Sequence, residues 1–161
     1  MTQISVPAQR HAAEAPAWIR LSTPLANRLL EGGLPMGPNV LLTVRGRISG
    51  EARTAPVAVI EIGDRRFVIG AYGDVQWVRN LRAAGEGDLR IKGETLHVRA
   101  RELDRAEATT FYGKTLPGYI ASFPWFGRAF AKVFFRLVGP ELANDPPRAA
   151  ALHPVFELRT A

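Results

Sequence analysis

Between two apolar runs lies the segment Arg45-Gly46-Arg47-Ile48-Ser49-Gly50-Glu51-Ala52-Arg53, in which three arginines are interleaved with two glycines and a serine. Glycine lets backbone N–H groups approach an anion closely, the Ser49 hydroxyl adds a donor, and arginine makes charge-assisted bonds to phosphate or carboxylate. The chemistry on offer is anion binding. A basic, solvent-facing hairpin turn has the same composition, and this segment alone leaves both readings open. It has neither the Gly-Lys-Ser/Thr of a phosphate-cradling P-loop nor the G-x-G-x-x-G spacing of a dinucleotide site.

A second segment runs Gly70-Ala71-Tyr72-Gly73-Asp74-Val75-Gln76-Trp77-Val78-Arg79-Asn80. An apolar strand ends here in small residues and a helix follows at once. Small residues let a flat ring lie against the backbone, and a helix start favours an anionic edge. Trp77 and Asn80 stand three apart and so share a helix face. A packing role accounts for the same pair, with Trp77 as a core anchor and Asn80 as its satisfied polar neighbour.

A third segment carries Arg128, Lys132 and Arg136 at intervals of four, beside a stripe of Phe126, Phe130 and Phe134, with no acidic residue over 121–139. Such a helix suits an anionic lipid surface or the wall of an apolar pocket. Packing of the phenylalanines against the barrel is the simpler expectation.

Other chemistries are excluded by what is missing. The chain has no cysteine, which removes disulfides, thiolate metal sites and a cysteine nucleophile, and fits a reducing cytosol. His11, His97 and His153 are far apart and none pairs with a carboxylate at metal-ligand spacing, so no metal site is expected. There is no G-x-S-x-G nucleophile elbow. No apolar run reaches the ~20 residues of a membrane span, and residues 1–10 lack the apolar stretch of a secretory signal. The expected location is cytoplasmic. The charge is +6, from 21 Lys+Arg against 15 Asp+Glu, and the lysines are only Lys92, Lys114 and Lys132. An arginine bias favours planar contacts to phosphate or carboxylate. No nucleic-acid recognition module is present, so a nucleic-acid partner is not expected.

At 161 residues the chain suits one compact domain, here 18–161, after a loose N-terminal arm over 1–17. The pattern predicts a helix over 18–31 closed by Gly32-Gly33, then a linker over 34–39. Strands follow over 40–44, 55–62 and 66–71, with Gly63-Asp64 as a hairpin turn. A short helix is expected over 76–84, with Asp74 as its N-cap and Gly85 just beyond its end. Two more strands, 89–91 and 95–103, flank a turn at Gly93-Glu94. Asp104 starts a helix towards Lys114 that Pro117-Gly118 breaks. Further helices cover 125–138 and part of 140–151, and a closing strand covers 153–158. Strands arranged as adjacent hairpins argue for an antiparallel barrel with added helices, an α+β fold.

In order and spacing these segments resemble the deazaflavin-dependent nitroreductase family, split β-barrel oxidoreductases that use coenzyme F-420. The resemblance rests on Leu41-Leu42-Thr43-Val44-Arg45-Gly46-Arg47-Ile48-Ser49-Gly50, on Arg53-Thr54-Ala55-Pro56-Val57, on residues 72–85, and on His153-Pro154-Val155-Phe156-Glu157-Leu158. It implies that Arg47, Ser49, Gly50 and Arg53 bind the cofactor's phosphate and acidic tail, with Thr54 and Pro56 opening the next strand. It implies too that Ala71, Tyr72, Trp77, Asn80 and Leu81 wall the deazaflavin ring. Ile48 stands where some members have lysine, leaving Arg45 or Arg79 to compensate. The implied reaction is hydride transfer from reduced F-420 to an electron-poor acceptor such as a quinone, enone or nitro compound. Tyr72, Tyr112 and Tyr119 are the phenols available to supply a proton, with Tyr72 the first choice, and the aromatic segment 119–135 is expected to roof the acceptor pocket. FMN in place of F-420, or a lipid or fatty-acid carrier on the same fold, are the competing expectations. A homodimer and peripheral contact with the inner face of the membrane complete them.

Overall fold

The computed structural model describes residues 39–161. The arm, the helix expected over 18–31 and most of the linker lie outside the described residues. Strand β1 (Asn39–Arg45) pairs with β2 (Ala52–Ile62), which turns at Gly63 into β3 (Arg65–Ile69). Helix α1 (Gln76–Ala84) follows, then β4 (Glu86–Ile91) and β5 (Glu94–Glu102). A helical excursion leads to the last strand, β6 (Val155–Thr160). The six strands close into a barrel in the order β1-β2-β3-β6-β5-β4, every pair antiparallel. The α+β split-barrel expectation therefore holds.

The barrel closes where β4 meets β1, and Gly87 allows it. A Cβ there would lie 2.9 Å from the Thr43 carbonyl oxygen and 2.9 Å from a Val44 methyl, so any side chain would force the two strands apart. Inside the barrel, Leu42, Val44, Val57, Val59, Val68, Leu89, Val98, Phe156 and Leu158 form the core, and α1 adds Val78 and Leu81. Alternation along the strands puts their other faces outward. There Ile60 and Phe67 join Phe111, Tyr112, Leu116, Leu142, Ala149 and Val155 in a second cluster beneath the helices.

Several boundaries shift for physical reasons. The β4–β5 turn centres on Lys92 and Gly93, both at positive φ, rather than on Gly93-Glu94, because a two-residue turn matching strand twist needs left-handed backbone at both positions. Pro117-Gly118 does not break its helix. Helix α2 (Arg105–Thr110) has Asp104 as N-cap in a reciprocal capping box with Glu107. It passes through a π-helical turn at Phe111–Thr115 into α3 (Leu116–Ala121). The π turn sets Pro117 in the first turn of α3, where its missing N–H costs nothing. Helix α4 (Trp125–Val138) is followed by α5 (Glu141–Asn144) and α6 (Pro146–Leu152).

Phe126 and Phe130 of the expected stripe are largely exposed, and the Phe134 side chain lies outside the described residues. Helix α4 docks instead through Ala131, Phe135 and Val138. Of the adjacent Phe134-Phe135 pair, Phe135 is the one that shares a face with Ala131 and Val138. That face leaves Trp125, Phe126, Phe130, Val133 and Leu137 exposed.

Candidate cofactor site

The arginine-glycine segment forms the β1–β2 connection. The Gly46 N–H donates to the Glu51 carbonyl and the Gly50 N–H to the Gly46 carbonyl, both at 2.8 Å. Gly50 has φ +71°, a left-handed conformation that glycine takes without penalty. Ser49 Oγ accepts the Glu51 N–H at 3.3 Å. Arg53 and Thr54 lie within β2, which begins three residues earlier than the sequence suggests. The Thr54 hydroxyl is 2.8 Å from that of Thr43, its cross-strand partner, and Pro56 lies half-buried opposite Leu41.

The two separate sequence segments meet here. Arg47 Nη1 donates to Asn80 Oδ1 at 3.0 Å and to Gln76 Oε1 at 2.8 Å, and the Arg47 backbone N–H donates to the same Asn80 oxygen at 3.3 Å. Asn80 is only 6% exposed, so its carbonyl would be costly to leave unpaired. One guanidinium thus pins the loop to one face of α1 across 33 residues of chain. Gln76 is a site residue that sequence reasoning passes over, since nothing in local spacing reports a contact over that separation. Glu51 is another: its carboxylate takes Arg53 Nη2 at 2.8 Å, with both side chains well exposed.

Helix α1 is positioned from both ends. Gly85 at φ +69° ends it, its N–H donating to the Leu81 carbonyl. At the start Val75, not Asp74, is the N-cap, and no side chain caps the helix. Asp74 reaches instead to Arg79 at 3.1 Å and Arg82 at 2.6 Å, two guanidiniums that outcompete the backbone N–H groups. Burial pushes the Asp74 carboxyl up, but its bonds to Arg82 and Arg79 more than offset this and hold it below the usual range. Arg79 is committed to Asp74, whereas Arg45 is exposed. With no acidic residue in its first turn, α1 presents uncapped N–H groups and a positive dipole end beside Gln76.

The expected wall residues divide. Trp77 is partly buried, packing on the barrel core with its ring 6.5 Å from that of Phe156. Leu81 is fully buried in the core, so it anchors the helix and cannot itself face a ligand. Ala71 and Tyr72 sit in the tight turn between β3 and α1, half-buried. The Gly73 N–H closes this turn on the Gly70 carbonyl, and Gly70 N–H donates to the Pro154 carbonyl, both at 2.8 Å. Burial raises the Tyr72 phenol, keeping it protonated near neutrality.

The other two phenols are placed elsewhere. Tyr112 is buried, its hydroxyl donating to the His153 carbonyl at 2.9 Å. Tyr119 lines an open hollow of about 620 Å³ with Glu61, Ile62, Lys114, Thr115, Gly118 and Ser122. Arg53 and Glu61 are eight residues apart on one strand, roughly 26 Å of chain at ~3.3 Å per residue. The hollow beside Tyr119 therefore lies towards the far end of β2 from the cationic loop. A hollow of about 340 Å³ does lie at the loop's base, lined in part by Arg45, Gly50, Ala52, Glu86, Asp88 and His97. The Asp88 carboxylate, 2.8 Å from His97 Nδ1, raises that imidazole. Two carboxylates, Glu86 and Asp88, rim this hollow. Among the described residues no cluster of His, Asp or Glu is placed to hold a metal ion.

Residues 18–121 match the family described as F420H(2)-dependent quinone reductase. The chain belongs to that family. It is an oxidoreductase that uses reduced coenzyme F-420. Among curated proteins none matches it. Among solved structures it is similar to one described as a domain-swapped dimer, at 21% identity over 88% of this chain and 97% of the other, with a TM-score of 0.50. It is also similar to an F420-H2 Dependent Reductase (FDR-A), at 21% identity over 76% and 94% of the two chains, TM-score 0.47. A third is a protein related to general stress protein 26, of the pyridoxinephosphate oxidase family, from Clostridium acetobutylicum, at 12% identity over 85% and 82%, TM-score 0.46.

Proposed function

We propose that this reductase holds the anionic tail of F-420 with Arg47, Ser49, Gly50 and Arg53 and seats the deazaflavin against Ala71, Tyr72, Trp77 and Asn80. When bound, reduced F-420 supplies hydride from C5 of the deazaflavin to an electron-poor acceptor, a quinone first among quinones, enones and nitro compounds. The observation that carries the reading is the Arg47–Asn80 hydrogen bond, because it joins the cationic loop to the helix that would border the ring. Thr54 and Pro56 continue the loop into β2 and set where Arg53 emerges. The Arg53 guanidinium is oriented by Glu51 in a well-exposed pair, which it can exchange for an added phosphate or carboxylate at little cost.

Tyr72 is the proton donor in this reading. Its raised phenol is fully protonated at neutral pH, and its turn lies between β3 and the ring-bordering helix. Tyr72→Phe is expected to lower turnover at least tenfold while leaving F-420 affinity unchanged. Unchanged turnover would assign the proton to water. The binding assignment is tested by titrating oxidised and reduced F-420 into wild type and Arg53→Ala. Tight binding to wild type that weakens roughly tenfold in the variant supports it, and no binding to wild type ends it. A homodimer, a cytoplasmic location and contact with the inner face of the membrane belong to the same reading. Among the described residues no helix is long and apolar enough to cross a membrane.

A further inference from the structure

Among the described residues three polar or charged ones are buried: Asn80, Glu157 and His153. Asn80 takes Arg47, and Glu157 takes Arg65 and Arg101. The His153 ring is only half satisfied. Its Nε2 lies 2.8 Å from Glu141 Oε1, while Nδ1 is buried without a partner among the described residues. Burial pushes the Glu141 carboxyl up, but its bond with His153 outweighs this and holds it below the usual range, so Nε2 is the donor. An apolar side chain would fill the same space without burying an unpaired nitrogen. Packing therefore does not account for the imidazole, and the bond to Glu141 does. The corner between α4 and α5 is closed tightly on this pair: a Cβ on Gly139 would lie 2.6 Å from Glu141 Oε1 and 3.2 Å from His153 Nε2.

The backbone at His153 joins this corner to the barrel. Its N–H donates to the Ala149 carbonyl at the end of α6, and its carbonyl accepts the Tyr112 hydroxyl at 2.9 Å. Pro154 follows and favours the extended backbone seen at His153, so the chain leaves the helices here. The next carbonyl, that of Pro154, accepts the Gly70 N–H at 2.8 Å. On the other side of His153, the Leu152 carbonyl lies so close to Gly73 that a Cβ there would stand 3.2 Å away. Residues 152–154 are thus the floor of the turn that carries Ala71 and Tyr72. We propose that Glu141, His153 and Tyr112 are positioning residues, a latch that fixes this floor and with it the Tyr72 turn. None of the three needs to touch the cofactor. Transfer of hydride and proton depends on placement to within about half an ångström, which a turn held only by its own Gly73–Gly70 bond would not keep. The proposal rests on the reading in which this turn borders the deazaflavin, and it gives Tyr112 a part other than proton donor.

The test compares Glu141→Ala, which removes the acceptor, with Glu141→Gln, which keeps one. Gly139→Ala is a second route: its methyl displaces the Glu141 carboxylate and leaves both side chains of the pair intact, and a φ of 174° is open to any residue. Amide hydrogen exchange is followed first, in the full chain without F-420. Glu141→Ala and Gly139→Ala are each expected to speed exchange at the Gly70 and Gly73 N–H groups about tenfold, with the Gly85 N–H at the far end of α1 unchanged. Single-turnover oxidation of reduced F-420 by a quinone should slow roughly fivefold in both, with F-420 affinity at the wild-type value. Glu141→Gln should match wild type in every readout. Unchanged exchange at Gly70 and Gly73 overturns the proposal, as does equal acceleration at Gly85, the mark of a general loss of stability. Faster exchange with unchanged turnover also overturns it, since the latch would then hold a turn that the reaction does not use. Tyr72→Phe, measured alongside, separates the latch from the proton assignment. If it leaves turnover unchanged while Glu141→Ala slows it, water supplies the proton and the latch stands. If it slows turnover while Glu141→Ala does not, the proton assignment stands and the latch falls.

Discussion

The β1–β2 loop and helix α4 are both built from arginine beside small or aromatic residues, yet the fold treats them in opposite ways. In the loop, Arg47 is bonded to Asn80 and Gln76 and Arg53 to Glu51, so each guanidinium is already oriented. In α4, Arg128, Lys132 and Arg136 have no carboxylate partner among the described residues, and their apolar neighbours face outward. The difference teaches that charge alone does not define a site. A preorganised cation serves a small anion that must be held in one pose, because less side-chain freedom is lost on binding.

Paired substitutions sharpen that contrast. Leu81 and Leu137 are the same residue type at opposite extremes of exposure. Leu81→Ala is expected to cost about 2–5 kcal/mol in urea unfolding, through lost burial and the cavity left behind. Leu137→Ala is expected to stay within about 0.5 kcal/mol of wild type. If both cost the same, α4 is covered rather than exposed and the contrast collapses.

Next in size is the loop–helix bond. Asn80→Ala leaves the Arg47 guanidinium without its buried acceptor, and is expected to cost about 1–3 kcal/mol of stability. It should also weaken F-420 binding roughly tenfold or more, measured by titration. The matching change in α4, Arg136→Ala, should leave both quantities unchanged. An Asn80→Ala protein with wild-type affinity would show that the loop orders itself unaided.

Glu157 tests whether buried charge elsewhere behaves like the loop. It is 1% exposed and bonded to Arg65 at 2.8 Å and Arg101 at 3.1 Å. Burial raises its carboxyl, but the arginine bonds outweigh this and leave it below the usual value. A carboxyl lowered on folding stabilises above its unfolded value, near pH 4.3, and loses that contribution as pH falls through the folded value. Glu157→Gln should therefore cost about 1–2 kcal/mol at pH 7, the partly exposed arginines being screened. The gap to wild type should shrink towards pH 3 in urea midpoints. A gap that stays constant with pH would assign the loss to packing. The smallest effect is expected at Gly50, where Ala must adopt φ +71° in open space: about 1 kcal/mol of stability and a loosened loop with slightly weaker F-420 binding.

Much of the scaffold was legible because it rests on short-range rules. Gly85 past a nine-residue helix and Asp104 ahead of Glu107 each give a boundary that the structure reproduces. The errors fall where a distant partner competes with a local rule. Asp74 has the sequence of a cap but finds Arg79 and Arg82, and Pro117 has the sequence of a break but follows a π turn. Glu157 left a signal that could have been read, an acid set among Val155, Phe156 and Leu158, which implies cations from other strands.

The residue types and order alone determined that the loop at 46–53 could bind an anion, that α1 would follow a small-residue turn, and that an antiparallel barrel would carry both. Only tertiary structure decided that Arg47 and Asn80 would meet, that Tyr112 would be consumed by a backbone carbonyl, and that α4 would turn Phe135 inward and Phe126 outward. Turns, caps and alternation are set by energies local to a few residues. Which side chain answers which, across 33 or 41 residues, is set by barrel closure bringing those residues together.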